Sequence, residues 1–195
     1  MYTLSEEQLN VEWSKFVTMF KELGLAEHYD MEKMYLEMKD SPCAVSLDMG
    51  TAYKGALLVH INMLTAIAQR LSKMISGTFK IDEKSLYKVC VLMHLSKRNV
   101  YVENDNDWEV KNRGLAFKFK KDVEGCINGG ARSALEALNN GVKLTPTEFE
   151  AIQCLDNETE ACKRIRNNIM TTVIRQANEL AYAISREKYK KTQQN

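Results

Sequence analysis

Apolar residues recur at helical spacing over most of the chain. Leu9, Trp13, Phe16, Phe20 and Leu23 form the first such stripe. Ser5 and Gln8 precede it in a capping-box pattern, Leu4 is placed to staple onto Leu9, and Gly24 closes it. Met31, Met34, Tyr35 and Met38 predict a second, shorter helix that starts near Asp30 and breaks at Ser41-Pro42. Residues 43–52 read as a loop. A strong helix is then expected from about Lys54 to Ser76, with Leu57, Ile61, Leu64, Ile67, Ala68, Leu71 and Ile75 on one side and Gly77 as its stop. Asp82 caps a fourth helix, expected to reach about Lys97 through Leu86, Val89, Cys90 and Met93.

The period then changes. Asn99–Val102, Trp108–Lys111 and Leu115–Phe119 are short runs rich in β-formers, separated by Asn104-Asp105-Asn106-Asp107 and Asn112-Arg113-Gly114. They predict a small antiparallel hairpin or three-stranded meander. Helix resumes from Ala131 to about Leu138, ending at Asn139-Asn140-Gly141, and Thr145-Pro146-Thr147-Glu148 starts another. A long closing helix is expected over roughly Glu158–Lys190, with Ile165, Ile169, Val173, Ala177, Leu180 and Ile184 as its seam. The fold class is therefore mainly α, a helical bundle with one small inserted antiparallel β element. Residues 1–41 form an N-terminal helical segment packed on a core domain of residues 42–187, and the polar residues 188–195 are expected to fray.

Composition narrows the function. The 195 residues suit one domain with a real core. With 27 basic and 26 acidic side chains, the net charge of +1 argues against specific nucleic-acid binding. No apolar run is long enough to span a bilayer, and Met1–Leu9 lacks the apolar core of a signal peptide. Five cysteines without a CxxC spacing read as free buried thiols in a reducing, cytoplasmic setting. The even balance conceals a gradient. Residues 1–40 carry 9 acidic and 4 basic side chains, and residues 163–195 carry 8 basic and 2 acidic. Two such ends can pair within a molecule or between copies, or remain two solvated faces. No Walker A, GxGxxG, GxSxG or HExxH pattern occurs.

Several segments, in order, resemble the phage-type HD-domain phosphohydrolases. Tyr53-Lys54-Gly55-Ala56-Leu57-Leu58-Val59-His60 is similar to the family's YxGGLLxH segment. Val91-Leu92-Met93-His94-Leu95-Ser96-Lys97 is similar to its apolar-apolar-His-Asp-x-x-Lys segment. An aromatic and basic hairpin with Tyr101, Trp108, Lys111 and Phe117 follows, then Gly129-Gly130-Ala131-Arg132-Ser133. Lys143-Leu144-Thr145 with Glu148, and finally Ile174-Arg175-Gln176-Ala177-Asn178-Glu179-Leu180-Ala181, complete a match over residues 42–184.

The resemblance implies an HD-like bundle, a phage origin and a divalent-metal site. In the family, two histidines and two aspartates from three helices hold the metal that activates water on a phosphate ester. Here His60 and His94 stand at the histidine positions, Leu95 replaces the first aspartate, and Asn178 replaces the second. His94 and Lys97 are also one residue closer than in the family pattern. A set of two imidazoles and an amide gives a hard divalent cation no charge compensation. His60, His94 and Asn178 therefore read as vestigial metal-site positions, with no catalytic residues, no bound metal and no cofactor expected. The imidazoles are then expected to be half-buried and hydrogen-bonded to Asn178. The alternative is a weak one-metal site completed by Asp48 or Glu124.

The expected function is that of a non-catalytic structural or protein-interaction component, either a virion part or an inhibitor or regulator in the host cytoplasm. It would act through a protein partner or self-assembly, away from membranes. Two alternatives stand beside it: a residual metal-dependent phosphohydrolase, and a nucleotide-binding module without hydrolysis in which Lys97 and Lys111 contact phosphate. The methionine stripe of Met31, Met34, Met38, Met63 and Met74 is either core filler or an adaptable contact surface.

Overall fold

In the computed structural model, residues 3–123, 128–154 and 168–194 are described. The fold is mainly α, with eight helices and one small antiparallel sheet among those residues. The first helix, α1 (Glu6–Glu22), starts where the capping box places it. Ser5 accepts from the Gln8 backbone while the Gln8 side chain accepts from the Ser5 backbone N–H. Helix α2 (Met31–Asp40) is capped by Asp30, buries Met34 and Met38, and stops before Pro42.

Helix α3 (Ala56–Ile75) is the axis of the bundle. Its inward residues Leu57, Leu58, Ile61, Leu64 and Ala68 are fully buried, and α1, α4 and α8 pack around it. Helix α4 (Glu83–Leu92) is capped by Asp82. Helices α6 (Gly129–Asn139) and α7 (Pro146–Cys154) pack on each other and on α4. The start of α7 is a reciprocal cap: Glu148 N–H donates to Thr145 Oγ1 at 3.2 Å, and Thr145 N–H donates to Glu148 Oε2 at 2.8 Å. Helix α8 (Ile169–Gln194) closes the bundle and continues as helix through the polar stretch from residue 188 to Gln194. The first part of the expected closing helix, Glu158 and Ile165 included, lies outside the described residues.

Three local expectations are corrected. The fourth helix stops at Leu92 instead of running to Lys97. His94 sits in the break, and a 3-10 turn over Leu95–Asn99 follows. The reason is competition from α6. Ser133 Oγ donates to the Met93 carbonyl at 3.0 Å and accepts from the Ser96 backbone N–H at 3.2 Å, so those groups are no longer available to the helical ladder.

The run Trp108–Lys111 is helical, not a strand. Helix α5 (Asp107–Arg113) connects β1 (Tyr101–Glu103) to β2 (Phe117–Phe119), which pair antiparallel with Tyr101 opposite Phe119. Here capping overrides the strand preference of Trp108 and Val110. The Asn106 side chain accepts from the backbone N–H groups of Trp108 and Glu109, and Gly114 closes the helix at φ +63°. The sheet is accordingly a two-stranded pair with a helical connection.

The seam of α8 is rotated from the expected one. Val173 and Ala177 are buried, but Leu180 is 44% and Ile184 39% exposed, and Met170, Ile174, Ala181 and Ser185 face inward instead. Small residues let this helix approach closely. Gly50, at φ +67°, lies under it so tightly that a Cβ there would stand 2.4 Å from the Ser185 carbonyl oxygen.

Candidate functional site

Three chain segments bring one polar cluster into the apolar core. His60 comes from the buried face of α3, His94 from the break after α4, and Asn178 from α8. Both imidazoles are essentially inaccessible, at 1% and 0% exposure, where half-buried rings were expected. Each Nε2 lies against the same oxygen, Asn178 Oδ1, at 2.9 Å from His60 and 3.0 Å from His94. The rings meet edge to face with centroids 5.2 Å apart.

With the amide oxygen toward the rings, both Nε2 atoms carry hydrogen and donate, and Asn178 accepts twice. His94 is held well below its ordinary value of 6.5 by burial and by the nearby Lys97 charge, against the opposing effect of its bond to Asn178. The break after α4 leaves His94 free of the helical register, and the ring swings toward α8. Its Nδ1 is sealed from solvent and has no hydrogen-bond partner.

A second layer extends the cluster along α8. One turn beyond Asn178, the Tyr182 ring packs on His60 with centroids 4.2 Å apart. The Tyr182 hydroxyl accepts from Lys97 Nζ at 3.3 Å and lies 3.3 Å from Cys43 Sγ. Lys97 also reaches the Cys43 carbonyl at 3.5 Å. Burial, reinforced by the Cys43 thiol, pushes the Tyr182 phenol above its ordinary range despite Lys97. The phenol therefore stays protonated and acts as a fixed hydrogen-bonding spacer.

The donor set can be judged by its chemistry. Among the described residues, no three histidine, cysteine, aspartate or glutamate side chains come together. Leu95, at the position of the family's first aspartate, is buried in the core and supplies no ligand atom. Asp48 is exposed on a short turn over Leu47–Met49, and Glu124 lies outside the described residues. The arrangement offers two neutral nitrogens and one amide oxygen. That set does not fit a hard divalent ion, which needs anionic oxygen ligands.

Lys97 belongs to the cluster, whereas Lys111 stands exposed on α5, outside it. Cys43 and Tyr182 are not singled out in the sequence, although Tyr182 follows Asn178 by four positions and so shares its face of α8. The cysteines also differ from the expectation of free thiols throughout. Cys43 and Cys90 are buried and form no disulfide, while Cys154 is disulfide-bonded.

Comparison of the chain with known family models, with curated proteins and with solved structures finds no match. Among the described residues, no helix is long and apolar enough to cross a membrane.

Proposed function

We propose that this is a non-catalytic protein of HD-like design that acts through its surface, as a structural or protein-interaction component. One observation carries the catalytic half of that reading. The two imidazoles that would hold a metal are instead closed onto the Asn178 amide oxygen, with Nε2 at 2.9 and 3.0 Å. A metal-activated water needs an ion held by anionic ligands and a base to receive its proton. Among the described residues, the cluster supplies no anionic ligand. It reads as a buried polar clamp that fixes the registers of α3, α4 and α8. The order and spacing of the motifs support the HD-like reading and, with it, a phage source.

The interaction half rests on the surface. Among the described residues, no ion pair joins residues 1–40 to residues 168–194. The acidic segment pairs instead within itself, Lys15 with Glu12 at 2.6 Å, and with Arg98, whose Nε donates to Glu37 at 2.6 Å while Nη1 pairs with Glu136. Opposite charge left unpaired in this way suits head-to-tail contact with copies or docking on a larger partner.

Sedimentation at low and high salt tests this. An assembly that dissociates as ionic strength rises supports the charged ends as the interface. A particle whose size ignores salt removes them from that role. Turnover of a phosphodiester above that of a His60→Ala/His94→Ala variant would overturn the non-catalytic reading.

A further inference from the structure

The acidic start and the basic end of the chain come to the same end of the bundle. Gly55 stands at the start of α3, and a Cβ there would lie 3.0 Å from Leu4 Cδ1 and 3.1 Å from Leu9 Cδ1, so the first turns of α1 lie on that start. Gly50, just before it, lies against the Ser185 carbonyl, and with Tyr53 it lines a small cleft under Lys188, Tyr189 and Thr192 of α8. Helices α1 and α8 each pack on α3, and packed helices run about 8–10 Å apart, so the two ends lie within about 20 Å of each other. Glu6 and Glu7 are exposed on the first turn of α1, and neither has an ion pair among the described residues. Val11, 50% exposed, lies with them in a shallow groove along α1 whose one cation, Lys15, is held by Glu12 at 2.6 Å. Arg186, Lys188, Lys190 and Lys191 are exposed near the end of α8, where Glu187 pairs with Lys190 at 2.9 Å. A helix terminus carries only about half a unit charge, so neither dipole offsets the charge on its own helix end.

We propose that this end of the bundle is a two-fold interface with a second copy of the chain, in which the basic end of each α8 lies in the acidic groove on α1 of the other copy. The pair rests on the reading of self-assembly above and narrows it, because the placement of the charges decides how copies can join. Patches at opposite poles of a bundle would link copies in an open row. Patches at one pole let a two-fold rotation satisfy both contacts at once, and the pair then closes with neither patch left for a third copy. The contact cannot be made inside one chain: among the described residues no ion pair bridges the two patches, and at 0.1 M salt charges more than about 10 Å apart are largely screened. Between copies the opposite charges come into direct contact. Exposed Val11 in the groove and the aliphatic stems of the α8 lysines supply the apolar part of that contact.

Sedimentation equilibrium of the full chain, at about 50 mM and about 500 mM salt, tests the pair. The expected particle has twice the chain mass, does not grow as concentration rises, and has a Kd at least about tenfold higher at the higher salt. Two variants reverse charge at exposed positions. Glu6→Lys/Glu7→Lys leaves both patches basic, and Arg186→Glu/Lys188→Glu/Lys191→Glu leaves both acidic. Each alone should be a single chain where the native protein is paired. An equimolar mixture of the two should form a one-to-one pair, because every contact is again between opposite charges. That recovery also shows that both variants are folded. Particles larger than two chains would overturn the closed pair while leaving self-assembly standing. A pair that survives both sets of reversals, or that mixing does not restore, would overturn this interface and move self-assembly to another surface. A native chain that stays single at every concentration at the lower salt would overturn the proposal and leave the interaction reading to a different partner.

Discussion

Replacing Asn178 by aspartate changes one atom class and leaves the shape of the clamp intact. In the native chain the amide oxygen accepts from His60 at 2.9 Å and from His94 at 3.0 Å, and no charge is present. A carboxylate there would be an unpaired buried charge unless an imidazole took up a proton. Two unit charges about 4 Å apart attract by roughly 4 kcal/mol at an effective dielectric of about 20. That is about three pKa units of preference for imidazolium. It opposes the burial and the Lys97 charge that now hold His94 neutral. One of the two buried rings should therefore titrate near or above neutrality in Asn178→Asp, whereas His94 in the native chain is held well below its ordinary value. Ring-carbon NMR from about pH 5 to 8 reads this directly. With an anionic ligand supplied, the variant should also gain a thermal shift with a divalent cation that the native chain lacks. Buried rings that ignore pH in both proteins, together with equal responses to metal, would refute the reasoning.

Other outcomes follow from the same geometry. His94 is depressed in the folded state, so the unfolded chain binds the proton first and stability falls as pH drops below about 6.5. His94→Gln should flatten that part of the profile, measured by denaturant melts between about pH 5 and 7.5. Glu148, 1% exposed and paired with Lys88 Nζ at 2.8 Å, is held below the ordinary carboxylate value. Burial works against this, and the bonds from Lys88, the Thr145 backbone and Ser85 prevail. Its stabilisation is complete above about pH 5.5 and is lost as pH falls through the lowered value. Glu148→Gln should destabilise by about 2–3 kcal/mol at pH 7, leaving Lys88 without its anion, and should lessen the acid sensitivity. Gly50→Ala should cost about 2–4 kcal/mol in chemical unfolding, from a left-handed φ and the contact with the Ser185 carbonyl. By contrast, Leu180→Ser should cost under about 1 kcal/mol, because that side chain is 44% exposed.

Much of the helical order was legible because caps and periodicity agreed. The Ser5–Gln8 box, the Asp30 and Asp82 caps and the Thr145–Glu148 box each mark a helix start that the structure places there. The failures share a cause, which is tertiary competition. Nothing within residues 83–97 announces that Ser133, on a helix about forty residues later, takes the Met93 carbonyl and ends α4 early. At Trp108, strand preference was weighed above the Asn106 cap and Gly114, and the caps prevailed. On α8 a stripe of large residues was preferred, whereas the close approach at Gly50 selects the small face of Ala177, Ala181 and Ser185. His60, His94 and Asn178 were singled out from motif order, and the structure brings them within hydrogen-bonding distance. Of the second layer, Tyr182 was within reach at four positions from Asn178, but its meeting with Cys43 and Lys97 was not, because it exists only in the folded chain.

The most direct test of the non-catalytic centre is the metal content of the purified chain. Elemental analysis for manganese, iron, nickel and zinc should find well under one ion per chain, with no difference between the native protein and His60→Ala/His94→Ala. About one tightly held ion per native chain, absent from the double variant, would contradict a clamp closed on Asn178 and restore a metal site.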